Sequence, residues 1–429
     1  MLRHSTLRLA RPLRRNLFRP ITAWIPRREL LTLAIETSCD DTSAAVLETK
    51  DNDRKPDEPA AVLHFHKKVT ADNTKFLGVH PVTALESHQE NLAILVQEAI
   101  KKLPAANDTA SSSTSQNDAS APPIRVPVGN GVVEYKQRPD FVSVTRGPGM
   151  RSNLFTGLDT AKGLAVAWQV PFVGVNHMHA HALTPRLASA LAQPSTTPTP
   201  SSATSASPST PPTPQHDPAP AFPFLSVLVS GGHTLLIHSS DLTSHKVLGS
   251  TIDTAIGESL DKIARAVVPA SQVAAWGDTM YGALLEEFAF PSGAADFEAY
   301  YTPPTTRKGE LKRRISPTYG WALRPPLSHS PTARSLDMSF SGLATMLERL
   351  VEFGWDVLRK TVGKETRAPE EVGVHERREL AREAMRIAFE HLAGRVVLAL
   401  EGMEPEKRNK IRTVVVSGGV ASNKFLRFV

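Results

Sequence analysis

Two histidines carry the clearest chemistry in this chain. His177 and His181 stand four residues apart, so on a helix both imidazoles leave one face and can share a metal ion. His179 lies between them and points elsewhere on that helix. Residue 178 is Met, whereas a zinc peptidase of the His-Glu-x-x-His kind needs a glutamate base there, which argues against peptidase chemistry. Spacing alone favours a plainer alternative, histidines that cap a helix or line a polar surface. Asp40 and Asp41 stand at a turn, where a carboxylate either faces a reacting group or closes the turn on its own backbone. Two turns are built from small polar residues that bring backbone N–H groups close to an anion. One has Thr37, Ser38 and Thr42; the other has Ser230, Gly231, Gly232 and Thr234. Taken singly, a glycine pair is more often a tight turn.

The elements around these turns are alike. Leu31 to Val46 reads LTLAIETSCDDTSAAV and Phe222 to Ile237 reads FPFLSVLVSGGHTLLI: each is an apolar strand, a small polar turn and a second apolar strand. Two such hairpins predict two related RNase-H-like half-domains facing each other across a phosphate-binding cleft. That is the architecture of actin, the sugar kinases and the heat-shock ATPases. Strands at Val62–Lys68, Phe141–Thr145, Phe172–Val175 and Arg412–Val416 alternate with helices at Ser87–Lys102, from about Ser152, and at Glu258–Val267, Gly282–Phe288, Ser341–Phe353 and Val374–Leu400. The fold class is therefore α/β.

The net charge of +6 is misleading. The first 28 residues hold eight arginines and no acid, and the other Lys and Arg fall short of the 43 Asp and Glu. The basic balance thus belongs to the N-terminus and not to a global nucleic-acid-binding surface. Residues 1–30, Arg-rich and interleaved with Leu, Phe, Ile and Trp, read as a mitochondrial transit peptide, with a disordered basic arm as the alternative. No stretch is apolar and long enough to predict membrane insertion. The one cysteine, Cys39, excludes an internal disulfide and fits a reducing compartment. Two low-complexity inserts, about 104–123 and 189–221, cannot bury a core and are expected to be disordered. The expected organisation is a leader over 1–30, an N-terminal half-domain over 31–188, the second insert, and a C-terminal half-domain over 222–429 that is incomplete at its end.

Seven segments occur in a telling order: IETSCDDT, VTRGPG, NHMHAHAL, LVSGGHT, DTAIGESLDKIAR, DMSFSGL and VVVSGGVASNKFLR. Together they resemble the tRNA N6-adenosine threonylcarbamoyltransferases, over about Leu31 to Val429 outside the inserts, and the leader points to the mitochondrial members. The resemblance implies transfer of a threonylcarbamoyl group from threonylcarbamoyl-AMP to N6 of the adenosine next to the anticodon in mitochondrial tRNA. It implies one divalent metal ion, iron or zinc, on His177 and His181, and Asp40 and Asp41 as catalytic carboxylates. Substrate binding falls to Leu228, Val229, Ser230, Gly231 and Gly232, to Asp261 on the ribose, to Gly282, and to Asn423 on the adenylate. Gly282 stands in AWGDTMYGA where the family usually has a Pro-Gly-Gly-Pro context. The family's third metal ligand, an aspartate in a TDN-type motif after the SGGVASN segment, has no counterpart up to Val429. The resemblance therefore implies a fragment or an altered member with a weak metal site. A homodimer in the mitochondrial matrix is the expected assembly.

Two other functions fit the same architecture. An ATP-dependent phosphotransferase would not need the paired histidines, and a non-catalytic homologue would bind adenylate or a partner without turnover. One basic cluster stands apart: Arg307, Lys308, Lys312, Arg313, Arg314 and Arg324, interleaved with Tyr301, Tyr319 and Trp321. It reads either as an RNA surface that combines phosphate contact with base stacking or as a solvated basic loop.

Overall fold

The computed structural model describes residues 29–50, 58–76, 78–106, 122–129, 131–192, 218–278 and 280–429. The leader, apart from its last two residues, and most of both inserts lie outside the described residues.

The first sheet contains β1 (Leu30–Glu36), β2 (Asp41–Thr49) and β3 (Ala61–Thr70). After α1 (Pro81–Lys101) and a side hairpin of β4 (Ile124–Gly129) and β5 (Val132–Lys136), it is completed by β6 (Phe141–Gly147) and β7 (Phe172–Asn176). The order is β3-β2-β1-β6-β7. β1 and β2 are antiparallel, with Leu33 opposite Val46 and Ile35 opposite Ala44; β6 and β7 run parallel to β1. Leu33, Val46 and Val142 are fully buried beneath α1 and α2 (Arg151–Trp168). α1 begins six residues before the expected Ser87. Its cap is His80, whose Nδ1 accepts from the Thr83 amide at 3.4 Å, and histidine is not a residue that announces a helix start.

The second sheet contains β8 (Phe224–Val229), β9 (Thr234–Ser239), β10 (His245–Ser250) and β11 (Val414–Ser417). Its order is β10-β9-β8-β11, again two antiparallel pairings on one side of the first strand and one parallel pairing on the other. The pattern of the first sheet is thus laid down twice, the first sheet adding β7. β8 is buried along its whole length, as a strand covered on both faces must be. α4 (Ile256–Val267) turns Ile256, Leu260, Ile263, Ala264 and Val267 to the core at helical spacing. It meets α5 (Tyr281–Ala289), α6 (Ser341–Phe353) and the long α7 (Val374–Glu401) there. Among the described residues no helix is long and apolar enough to cross a membrane.

The start of α4 is held against the β8–β9 turn. The Gly257 amide donates to the Ser230 carbonyl at 3.1 Å. A Cβ at Gly257 would lie 2.7 Å from that carbonyl oxygen and 2.8 Å from the Gly231 nitrogen, so a backbone would have to move. Gly257→Ala is expected to destabilise the fold by about 1–3 kcal/mol. Gly163→Ala on α2, where an added Cβ meets nothing within 4 Å, should stabilise by about 0.5–1 kcal/mol. Urea midpoints of the two variants check the contrast.

Candidate active site

β1 ends on Glu36, and the chain turns through Thr37–Asp40 into β2. Most polar groups of this turn face inward. Thr37 Oγ1 donates to the Asn153 carbonyl at 2.8 Å, and Asn153 Nδ2 donates to the Cys39 carbonyl at 2.7 Å. Thr42 Oγ1 lies 2.7 Å from His88 Nδ1, whose Nε2 lies 3.0 Å from the Cys39 carbonyl. The expectation that Thr37 and Thr42 help to cradle an anion is therefore corrected: both are fully buried and engaged. The Met150 amide donates to the Ser38 carbonyl at 2.9 Å. A Cβ at Gly149 would come within 2.6 Å of that oxygen, so a glycine is what lets the RGPG loop lie there.

The histidines begin α3 (His177–Leu191). Asn176 caps it, its Oδ1 accepting from the Met178 and His179 amides at 2.9 and 3.2 Å. As the spacing predicts, His177 and His181 share a face, with their Nε2 atoms 3.0 Å apart. His179 leaves the other way, its ring 4.5 Å from that of His245. His177 Nδ1 lies 3.3 Å from Glu36 Oε2 and 3.1 Å from Ser38 Oγ. Burial would raise the Glu36 pKa, but hydrogen bonds from His177, Ser38 and Thr145 outweigh it and hold the carboxyl at about 2. A carboxylate on Nδ1 fixes the tautomer that leaves Nε2 a bare lone pair. Burial and the neighbouring His177 lower His181 to about 4, which keeps it in the neutral form that can ligate.

This donor set fits a metal. Nitrogens 3.0 Å apart can both lie about 2.0–2.1 Å from one ion, and the Glu36 carboxylate orients one of them. The same spacing also suits an N–H···N hydrogen bond, which a metal would replace. Among the described residues no group of three or more His, Cys, Asp or Glu is placed to hold a metal ion.

The second hairpin faces this pair. His233, next to Gly232, brings its ring to 5.9 Å from that of His177, and burial followed by the charge of His177 lowers its pKa. The Ser230 amide donates to the His233 carbonyl at 2.8 Å, and the His233 amide donates to Ser230 Oγ at 3.0 Å. The amides of Gly231 and Gly232 have no acceptor among the described residues. Both residues are exposed, and a Cβ on either would meet nothing within 4 Å. Leu228 and Val229 are buried in the core, so their side chains cannot reach a substrate. Asp261 on α4 and Gly282 on α5 are brought together: the Gly282 amide donates to Asp261 Oδ1 at 2.7 Å. Burial raises Asp261 to about 6, against the pull of Gly282 and Arg265.

Three assigned residues make contacts away from the histidine pair. Asp41 is ion-paired with Lys68 at 2.8 Å and accepts from Thr70 Oγ1, both on β3. Asp40 Oδ2 lies 3.3 Å from Asn73 Nδ2. Asn423 is buried, and its Oδ1 caps α8 (Lys424–Phe428) by accepting from the Leu426 amide at 2.8 Å. Two residues at the site, Glu36 and His233, were given no role from sequence. Their signals were a lone acid closing an apolar strand and an imidazole beside a glycine pair.

This mixed α/β protein sets a histidine pair opposite a glycine-containing turn whose two amides are open. The family model described as tRNA N6-adenosine threonylcarbamoyltransferase matches residues 135–206 and 211–428. The mitochondrial enzyme of that name from Schizosaccharomyces pombe is 31% identical over 93% of this chain and 72% of its own length. The enzyme of Burkholderia ambifaria is 27% identical over 93% of this chain and 82% of its own. The chain belongs to the tRNA N6-adenosine threonylcarbamoyltransferase family. A solved PPX–GPPA enzyme of Aquifex aeolicus, 11% identical over 93% of this chain and 100% of that one, superposes at a TM-score of only 0.29 and bears no weight here.

Asp261 gives a prediction with a definite sign. Its folded pKa of about 6 lies above the ordinary 3.8, so the folded state holds a proton that the unfolded state has lost between those values. The cost of the buried carboxylate is absent below about pH 4, grows through the window and is complete above about pH 6. Asp261→Asn should therefore stabilise the protein by about 1–3 kcal/mol at pH 7.5 and leave it unchanged at pH 4. Thermal unfolding across that range checks it.

Proposed function

We propose that this chain forms threonylcarbamoyl-adenosine in mitochondrial tRNA. The donor is threonylcarbamoyl-AMP, a mixed carbamic–phosphoric anhydride, and the acceptor is N6 of the adenosine next to the anticodon. The new bond joins N6 to the carbamoyl carbon, the bond from that carbon to the phosphate oxygen breaks, and AMP leaves. N6 is a poor nucleophile because its lone pair is delocalised into the purine. The site must accordingly polarise the carbonyl, hold the departing phosphate and accept a proton from N6.

The observation that carries this reading is the approach of His233 on the second hairpin to His177, at 5.9 Å between rings. It sets the metal-competent pair beside the unsatisfied amides of Gly231 and Gly232. Those amides donate to the phosphate as negative charge grows on it. Asp261, with Gly282 bound to one of its oxygens, receives the ribose hydroxyls on the other. Glu36 holds His177 in the tautomer that presents Nε2. Asp40, at the rim of the first turn, is assigned the proton of N6. His177 and His181 would hold a divalent ion, iron or zinc, which when bound supplies Lewis acidity at the carbamoyl carbonyl. The repeated sheet order supports two half-domains of the actin and sugar-kinase type. Localisation in the mitochondrial matrix is supported by the Arg-rich leader and the mitochondrial relative. The exposed apolar residues Phe155 and Val166 on α2 and Phe172 and Val173 on β7 support a homodimer.

Two measurements test the assignment. His181→Ala should cut threonylcarbamoyl-adenosine formation on mitochondrial tRNA by at least about a hundredfold and should lower the metal content of the same samples. Asp40→Asn should lower kcat by roughly 10²–10⁴-fold with metal content unchanged. Full transfer by His181→Ala, or phosphoryl transfer from ATP to a small acceptor, would overturn the reading. Fusion of residues 1–35 to a reporter should carry it into mitochondria.

A further inference from the structure

The basic segment around residues 307–324 divides into two layers. The inner layer is neutralised. Arg307 pairs with Glu310 and donates to the Ala333 carbonyl at 2.7 Å. Arg314 donates to Glu390 on α7 at 2.6 Å, and Arg386 donates to the other oxygen of that carboxylate at 3.1 Å. These contacts clamp the segment onto α7. They also correct half of the sequence expectation: Trp321 and Tyr301 are buried and cannot stack on bases.

The outer layer is not neutralised. Lys308, Lys312 and Arg324 are exposed and Arg313 is half-buried, and among the described residues none of the four has a carboxylate partner. The short ladder here pairs Arg314 with Leu323 and Ile315 with Ala322, and Arg313 and Arg324 are the residues that flank its outer end. Positive charge gathered at one place without a carboxylate attracts anions. Arg324 turns to His329 Nε2 at 2.5 Å and Arg313 lies 5.6 Å over the Trp355 ring; neither partner carries a negative charge. Beside the ladder a cleft of about 340 Å³ runs between the segment and α7. Arg314 and Arg386 in its wall are already paired with acids, which leaves Lys312 and Arg313 without a carboxylate partner. Glu383 already accepts from the Tyr300 hydroxyl at 2.5 Å.

We propose that this outer layer, Lys308, Lys312, Arg313 and Arg324, is a docking surface for the phosphodiester backbone of the tRNA substrate. The surface rests on the transferase reading above. With Trp321 and Tyr301 buried and Tyr319 alone half-buried, it grips chiefly phosphates, so it positions the tRNA while sequence choice lies elsewhere. Each phosphate neutralised releases counterions, which makes the contribution of this surface visible in the salt dependence of binding.

The test is anisotropy of labelled, full-length mitochondrial tRNA titrated with the whole chain at several salt concentrations. The triple variant Lys312→Gln, Arg313→Gln, Arg324→Gln keeps the acid-paired inner layer, and an unchanged melting temperature shows that it folds. It should bind at least about tenfold more weakly at 0.1 M salt, and the slope of log K against log salt should flatten by about 2–3. Removing the same number of charges at Lys101, Lys102 and Lys162 should change the slope by less than one. Wild-type binding with unchanged affinity and slope in the triple variant would overturn the surface alone. Should the triple variant fail to fold, Lys308→Gln with Lys312→Gln, both exposed, makes the same comparison with an expected flattening of about 1–2. A wild-type chain that does not bind tRNA would overturn the surface together with the transferase reading.

Discussion

A carboxylate at the end of a buried strand governs the arrangement of this site. Partial burial pushes the Glu36 pKa up, yet hydrogen bonds from His177, Ser38 and Thr145 outweigh it and hold the carboxyl at about 2. An ionised Glu36 in turn fixes which nitrogen of His177 carries a hydrogen, and so which nitrogen faces His181. β1, the first turn, the end of β6 and the start of α3 all meet at this one group. The ends of these elements are tied together by the hydrogen bonds that satisfy one partly buried negative charge.

The two hairpins are near-repeats in sequence, but they do different work. In the first, the turn hydroxyls and carbonyls are bound by Asn153 and His88. That turn is a rigid support for Glu36 and His177. In the second, Ser230 is bound within its own turn, and the two following amides are left without acceptors in an open position. Sequence likeness therefore marks a repeated supersecondary unit, while the chemistry is decided by whether neighbouring helices take up the turn's polar groups.

Much of this was legible beforehand for physical reasons. The i, i+4 spacing put His177 and His181 on one face because helix geometry leaves no other outcome. The apolar runs of β1, β6 and β8 and the stripe on α4 announced themselves by periodicity. What sequence did not give depends on long-range partners. Glu36 gains its role from Thr145 and His177, more than a hundred residues away. α1 begins with a histidine cap that no propensity signals. Trp321 and Tyr301 alternate with basic residues as a stacking surface would, yet they belong to the core under α7. Asn423 matched a ligand-binding position, and here its amide caps α8.

The most direct test of the central claim is zinc affinity by isothermal titration with Glu36→Gln. The substitution keeps the shape of the side chain and removes the charge that sets the His177 tautomer. If Glu36 organises the histidine pair, zinc should bind about 10–100-fold more weakly than to the wild-type chain, with the fold intact by circular dichroism. Equal affinity in the two proteins would show that the pair is organised without Glu36 and would contradict the account.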